Sequence, residues 1–223
     1  MENKHFIIIL IILVVIVSAF LGIRIKFLKS PIGVCETLIE NNAKINVVFL
    51  SEGIGKEKLI EYANFLAEAE PYKNTKINFY YAGEEECEIV QGNILLCYSS
   101  DIVRKAASCK NDVVAIISSR SGLRSSAYGN IISISSGLPK SVFLHEFGHA
   151  FANLADEYVP SEIPSGSKNC QKACNFLIED GCFEGCSKSS YYRSTDNSVM
   201  RTLSTNDYGK LNIHLIENAI QKY

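Results

Sequence analysis

No long basic run occurs in the 223 residues, and the formal net charge is −2. Nucleic-acid binding needs a positive footprint, so a nucleic-acid partner is not expected. No glycine-rich loop of the GxxxxGK(S/T) or GxGxxG kind is present, which removes the usual phosphate cradle. No internal repeat suggests a solenoid. Methionine occurs only as Met1 and Met200. Histidine occurs as His5, His145, His149 and His214. The length suits one catalytic domain with an appendage.

Two of those scarce histidines stand four residues apart, in His145-Glu146-Phe147-Gly148-His149. Four residues turn a helix by about 400°, so both imidazoles share a face and can hold one metal ion. Glu146 lies between them and can deprotonate a water activated by the ion. The plain alternative is a surface helix that happens to carry two histidines.

Residues 6–23 carry no charge and are mostly Ile, Leu and Val. That length is near the lower limit for a membrane-spanning helix. Lys4 precedes the segment; Arg24, Lys26 and Lys29 follow it. The expectation is an uncleaved membrane anchor. A cleaved signal peptide is the alternative, since Val17-Ser18-Ala19 loosely fits a cleavage site; a buried helix is the third reading. The flanking charges alone would keep the following domain cytoplasmic. The cysteines point the other way: Cys35, Cys87, Cys97, Cys109, Cys170, Cys174, Cys182 and Cys186 form an even, dense set. Behind an apolar N-terminus, such a set suggests disulfides in an oxidising compartment. The domain is therefore expected outside the cytoplasm, membrane-anchored or secreted.

Along the chain, residues 30–42 read as a tether. Residues 45–50 are a β-branched and aromatic run, hence a buried strand ended by Ser51-Glu52-Gly53. Residues 56–70 carry Leu59, Ile60, Ala63, Leu66 and Ala67 at helical spacing, and Pro71 stops the helix. Residues 76–81 form a second strand with Ile77 and Phe79 on one face. Residues 101–107 form a short helix capped by Ser99 or Ser100. Residues 113–118 form a third strand. Residues 131–135 form a fourth, with Ile132 and Ile134 alternating against Ser133 and Ser135. Pro139 suits the first turn of the motif helix. Its apolar side would be Val142, Phe143, Phe147 and Phe151. Strands alternating with helices give an α/β layer with a mostly parallel sheet. The expected division is 1–29 anchor or signal, 30–158 catalytic subdomain, and 159–223 C-terminal subdomain.

A catalytic zinc takes three protein ligands and leaves one position open. His145 and His149 supply two. On an unbroken helix Asp156 would lie about 10 Å beyond His149 along the axis. The helix must therefore end, and Asn153 tolerates the left-handed conformation that ends helices. Asp156 then becomes the third ligand, with Glu157 and His214 as the other candidates.

His145-Glu146-Phe147-Gly148-His149 followed by Leu154-Ala155-Asp156-Glu157-Tyr158 resembles the IgA-peptidase-type zinc metallopeptidases, a metzincin-like group. The strand at 45–50 with Ser51-Glu52-Gly53 resembles that family's opening strand. The likeness spans roughly 43–160, resumes near Met200, and is strong over 143–158. It implies a zinc peptidase fold with an N-terminal sheet and a small C-terminal subdomain. Metzincins carry HExxHxxGxxH/D. Here the acidic residue falls one position later, as does the bend residue, and Ala152 stands where the glycine would be. Asn197-Ser198-Val199-Met200 resembles the Met-turn, in which a methionine floors the zinc site; plain core packing is the alternative. Some metzincins place a tyrosine two residues after that methionine, where this chain has Thr202. Tyr158, Tyr191, Tyr192 and Tyr208 remain possible hydrogen-bond donors to the reaction.

The spacing Cys170-x3-Cys174-x7-Cys182-x3-Cys186 lies between the motif helix and Met200. Two short helices in a hairpin could carry nested disulfides, Cys170–Cys186 and Cys174–Cys182. A structural zinc on all four is the alternative. The adjoining Tyr191-Tyr192-Arg193 could contact substrate or simply pack. The expected activity is zinc-dependent hydrolysis of a protein or peptide substrate, with Glu146 as general base and residues 131–135 as the strand along which substrate pairs. A membrane-tethered, zinc-binding but inactive module is the alternative, and a metal-free disulfide-rich surface domain is the third reading.

Overall fold

The computed structural model describes residues 12–18, 33–178 and 180–223. The chain divides into two units, residues 1–32 and Gly33–Tyr223, each taken by itself. In the first, residues 12–18 are helical with exposed side chains. The rest of the expected anchor at 6–23 lies outside the described residues. Among the described residues no helix is long and apolar enough to cross a membrane.

The second unit is built on a six-stranded sheet. Its strands are β1 (Glu36–Ile39), β2 (Ile45–Glu52), β3 (Ile77–Glu84), β6 (Val113–Ser118), β7 (Ser126–Tyr128) and β8 (Ile131–Ser135). The spatial order is β1-β3-β2-β6-β8-β7. The four central strands are parallel; β1 and β7 run antiparallel at the two edges. The stretch read as a tether thus joins the sheet at β1, and Cys35 is bonded to Cys109. Four residues are too few to show a strand period.

The buried sheet has two covered faces, which accounts for its continuous runs of Val, Ile and Phe. One face carries Val47, Phe49, Phe79, Ala115, Ile117, Ile132 and Ile134. Against it pack α1 (Lys56–Glu68), α3 (Ser141–Ala152) and α4 (Lys210–Ile220). The other face carries Val48, Leu50, Val114 and Ile116. It is covered by α2 (Ser100–Ala106) and by a small hairpin, β4 (Glu88–Val90) with β5 (Ile94–Leu96). Cys87–Cys97 closes that hairpin. The Ile/Ser alternation of β8 therefore separates two buried faces, not an inner and an outer one. Ser133 Oγ accepts from Cys97 N at 2.9 Å, and Ser135 Oγ donates to the Arg120 carbonyl at 2.6 Å.

Several boundaries differ from expectation for local reasons. α1 ends at Glu68, and a 3₁₀ turn, Tyr72–Asn74, follows Pro71. β3 runs on to Glu84, and Ser99 caps α2 by accepting from Ile102 N at 3.2 Å. Pro139 lies just before α3; its carbonyl accepts from Val142 N at 3.0 Å. β8 is not a free rim, because β7 pairs along its outer side. On α3, Phe143, Leu144 and Phe147 face the core, Phe151 is partly buried against it, and Val142 lines the cleft.

The C-terminal part carries β9 (Phe183–Cys186) and β10 (Lys188–Arg193), an antiparallel pair. Cysteine pairing is nested as expected, Cys170–Cys186 and Cys174–Cys182. The two expected helices are absent from the described residues there. Bends at Cys170 and Cys174, irregular backbone at Cys182 and β9 at Cys186 hold these cysteines instead, and no thiol is left for a second zinc. Gly181 and Gly185 both take positive φ, which a continuous helix excludes. Tyr191, Tyr192 and Arg193 lie on β10. Arg193 is buried over the Phe183 ring and donates to the Glu184 and Gly185 carbonyls, so it packs.

Candidate metal centre

The helix α3 ends at Asn153, whose φ of 53° and ψ of 38° are left-handed. Asn153 N donates to the His149 carbonyl at 3.0 Å, and Leu154 N to that of Gly148 at 3.2 Å. The Asn153 side chain also donates to the Ser165 carbonyl at 3.0 Å. Asn153→Gly is expected to keep this bend. Asn153→Val should cost about 1–2 kcal/mol, because a β-branched residue resists positive φ. Thermal melts of the two variants, with zinc affinity alongside, check this.

Past the bend, Asp156 folds back to the helix. Its Oδ1 lies 3.0 Å from His145 Nε2 and 3.2 Å from His149 Nε2. The two Nε2 atoms are themselves 3.0 Å apart. The other ring nitrogens fix the tautomers. His145 Nδ1 lies 2.8 Å from the Val199 carbonyl, and His149 Nδ1 lies 2.6 Å from that of Leu154. A carbonyl only accepts, so each Nδ1 carries the proton. Both Nε2 atoms of the neutral rings are then bare lone pairs facing Asp156 Oδ1, which is buried without a hydrogen-bond partner.

With both rings neutral these are three acceptors in contact, and they repel one another unless a proton or a metal cation lies between them. A tetrahedral zinc with arms of about 2.0–2.1 Å sets its ligands about 3.3 Å apart; the three edges here are 3.0–3.2 Å. Two imidazoles and one carboxylate suit zinc better than calcium or magnesium. Burial would lower the His149 pKa, yet the Asp156 contact and the nearby Glu146 raise it on balance. Burial would raise Asp156, yet the two histidines hold it well below the usual carboxylate range. Both directions mark a site that draws positive charge.

His145, His149 and Asp156 are the group among the described residues whose ligand atoms converge in this way. Glu157 and His214 do not join it. Glu157 points into the protein and is 1% exposed. Its carboxylate accepts from Ser198 Oγ at 2.5 Å, from Asn212 Nδ2 at 2.9 Å and from Asn169 Nδ2 at 3.3 Å. His214 lies on α4.

Glu146 is 7% exposed and lines the cleft beside both histidines. Burial raises its pKa above the ordinary 4.5, against the pull of His145, His149 and Arg124. Met200 is fully buried beneath α3. A Cβ on Gly148 would stand 2.9 Å from Met200 Sδ and 3.0 Å from Tyr208 Cε1, so the glycine admits both side chains. Of the four tyrosines, Tyr158 lines the cleft, its ring stacked on His145 with centroids 6.3 Å apart. Its hydroxyl is pushed up to about 12, by burial first and then by Asp156, so it stays a donor. Tyr208 is buried and donates to the Leu144 carbonyl.

Ser161, whose Oγ donates to Asp156 Oδ2 at 2.5 Å, and Arg124, which lines the cleft, carried no sequence signal. Neither did the carbonyls of Val199 and Leu154, since backbone groups are blind to side-chain identity. Comparison of the sequence with family models and with curated proteins finds no match.

Proposed function

We propose that the chain is a zinc-dependent hydrolase. More narrowly, we infer a metzincin-like endopeptidase of the kind that the HEFGH and LADEY segments resemble. One observation carries this reading: three metal-ligand atoms converge in a cleft beside Glu146, a carboxylate that is not among them. Metal binding alone has no use for that carboxylate, which counts against an inactive binding module.

His145, His149 and Asp156 would hold the ion. Bound there, zinc supplies Lewis acidity and lowers the pKa of water to about 7. The Glu146 carboxylate takes the proton of the attacking water and hands it to the departing amine nitrogen. Tyr158 Oη donates to the oxygen that gains charge as the carbonyl becomes tetrahedral. The carbonyls of Val199 and Leu154 keep the two rings oriented with Nε2 toward the cleft. The four disulfides support a domain that works in an oxidising compartment, outside the cytoplasm, either anchored or secreted.

The test is metal analysis of the purified protein together with a peptide-library digest. The expected result is about one zinc per chain, with cleavage abolished by chelator and restored by added zinc. Bound zinc should fall in acid, as protons compete for His145 and His149. Full zinc without cleavage of any peptide would leave the inactive module; no metal would leave the disulfide-rich surface domain.

A further inference from the structure

We propose that Arg124 is a carboxylate anchor in the cleft, so that the protein selects peptides bearing an acidic group beside a large apolar residue. This rests on the peptidase reading above and names its substrate class.

Five arginines fall within the described residues of the folded unit: Arg104, Arg120, Arg124, Arg193 and Arg201. Four of them hold a carboxylate: Arg104 pairs with Asp101, Arg120 with Glu52, and both Arg193 and Arg201 with Asp196. Arg124 has neither an ion pair nor a side-chain hydrogen bond among the described residues. Its backbone is nonetheless held in place. Its N donates to the Asn93 carbonyl at 2.9 Å, and its own carbonyl accepts from Leu95 N at 2.8 Å. The hairpin of β4 and β5, closed by Cys87–Cys97, thus clamps its backbone on both sides. The Arg124 guanidinium is exposed and close enough to act on the Glu146 charge, yet it is in direct contact with no acid among the described residues, so it is a two-pronged site for a carboxylate from elsewhere.

Its position sets what that carboxylate belongs to. Two cavities meet at Arg124, Ser125, His145, Glu146 and Tyr158. One, of about 510 Å³, has apolar walls from Leu123, Leu138, Val142 and Leu203. Leu203 remains 42% exposed, and its carbonyl accepts from Ser141 Oγ at 2.6 Å, so this wall is apolar, open and tethered. Its volume is ample for a large aliphatic or aromatic side chain. The other cavity, of about 380 Å³, is the more polar of the two, with Ser126, Asn153, Ser161 and Glu162. A peptide is therefore gripped asymmetrically about the scissile bond, with an apolar residue in the larger cavity and a carboxylate on Arg124. That carboxylate comes from an acidic side chain or from a chain terminus.

The test uses one peptide frame with Leu or Phe at the apolar position in four forms. These are Glu neighbour with amidated end, Gln neighbour with amidated end, Gln neighbour with a free terminal carboxylate, and Glu replaced by Lys. The zinc-loaded protein is expected to cleave the carboxylate forms about 10-fold or more better than the Gln amide, and the Lys form worst. The first and third forms tell the two carboxylate sources apart. In Arg124→Gln the carboxylate-to-amide ratio of kcat/KM should fall to about one. Arg124→Lys, which keeps charge without the fork, should retain part of it. Binding gives a second readout: zinc-loaded Glu146→Gln should bind the fluorescent peptides with the same preference, lost on adding Arg124→Gln.

Cleavage without carboxylate preference, or equal slowing of all forms in Arg124→Gln, overturns the anchor. Cleavage of no peptide by the zinc-loaded protein overturns the peptidase reading itself, and the anchor with it.

Discussion

Glu146→Gln is expected to lower kcat for peptide hydrolysis by about 10²–10⁴-fold while bound zinc and KM stay close to wild type. Glutamine matches glutamate in shape, so the buried position keeps its packing. What is lost is a basic oxygen. The carboxamide cannot take a proton from water, and neither histidine can substitute, because each Nδ1 already donates to a carbonyl. Metal content should not follow activity, since Glu146 lies outside the convergent group. Full activity in the variant would end the general-base assignment.

The pH profile of the wild type offers a companion measurement. A general base works in its deprotonated form, so activity falls as pH drops through its pKa. Burial raises that pKa above 4.5 despite the nearby histidines and Arg124. Bound zinc favours the carboxylate and acts against burial, so the acid limb of kcat/KM reports the balance of the two. Zinc released by protonation of the histidines would give a limb too, so bound metal is measured at each pH. Activity lost while zinc is retained is the signature of Glu146.

The centre was legible in sequence where local rules govern it. His145 and His149 share a face because helix geometry requires it. Asn153 could be named as the bend because few residues other than glycine accept φ near 53°. Asp156 followed from the bend. What stayed hidden depends on distant partners. Glu157 read as a spare ligand; its three partners lie 12, 41 and 55 residues away, and no local pattern links them. Arg124 stands out only when every other described arginine is seen to hold an acid.

The same division runs through the fold. The central strands were readable because long β-branched runs are buried on both faces. β1 and β7, of four and three residues, were not, and without β7 the strand β8 looked like an open rim. The nested cysteine pairing was right while the helices meant to carry it were wrong. Spacings of four fit a helix, but the positive φ of Gly181 and Gly185 breaks any helix there, and the same sulfurs meet on irregular backbone and β9 instead.

Glu157→Ala is expected to destabilise the fold by roughly 3–5 kcal/mol, since each buried partner left unsatisfied costs about 1–3 kcal/mol. For a unit of this size that lowers Tm by roughly 6–20 °C. The carboxylate ties together three segments that frame the centre: Asn169 of the cysteine region, Ser198 beside Met200, and Asn212 of α4. Its own N donates to the Met200 carbonyl at 2.8 Å. Asp156 is its neighbour in sequence, so zinc affinity should fall with stability. Glu157→Gln separates packing from charge. The amide oxygen can accept from the two asparagines, and the amide nitrogen can donate to Ser198 Oγ, so most of the network survives. Burial raises the Glu157 pKa above 4.5, outweighing the three hydrogen bonds that lower it. The folded state therefore holds this proton more tightly than the unfolded chain. The stabilisation from that proton is fully present below about pH 4.5 and is lost as pH rises through the raised pKa. Glutamine does not titrate. The stability of wild type relative to Glu157→Gln should thus decline as pH rises from 4.5 toward neutrality. Denaturant melts across that range measure it, and a difference that grew with pH would show that the folded state favours the charged carboxylate instead.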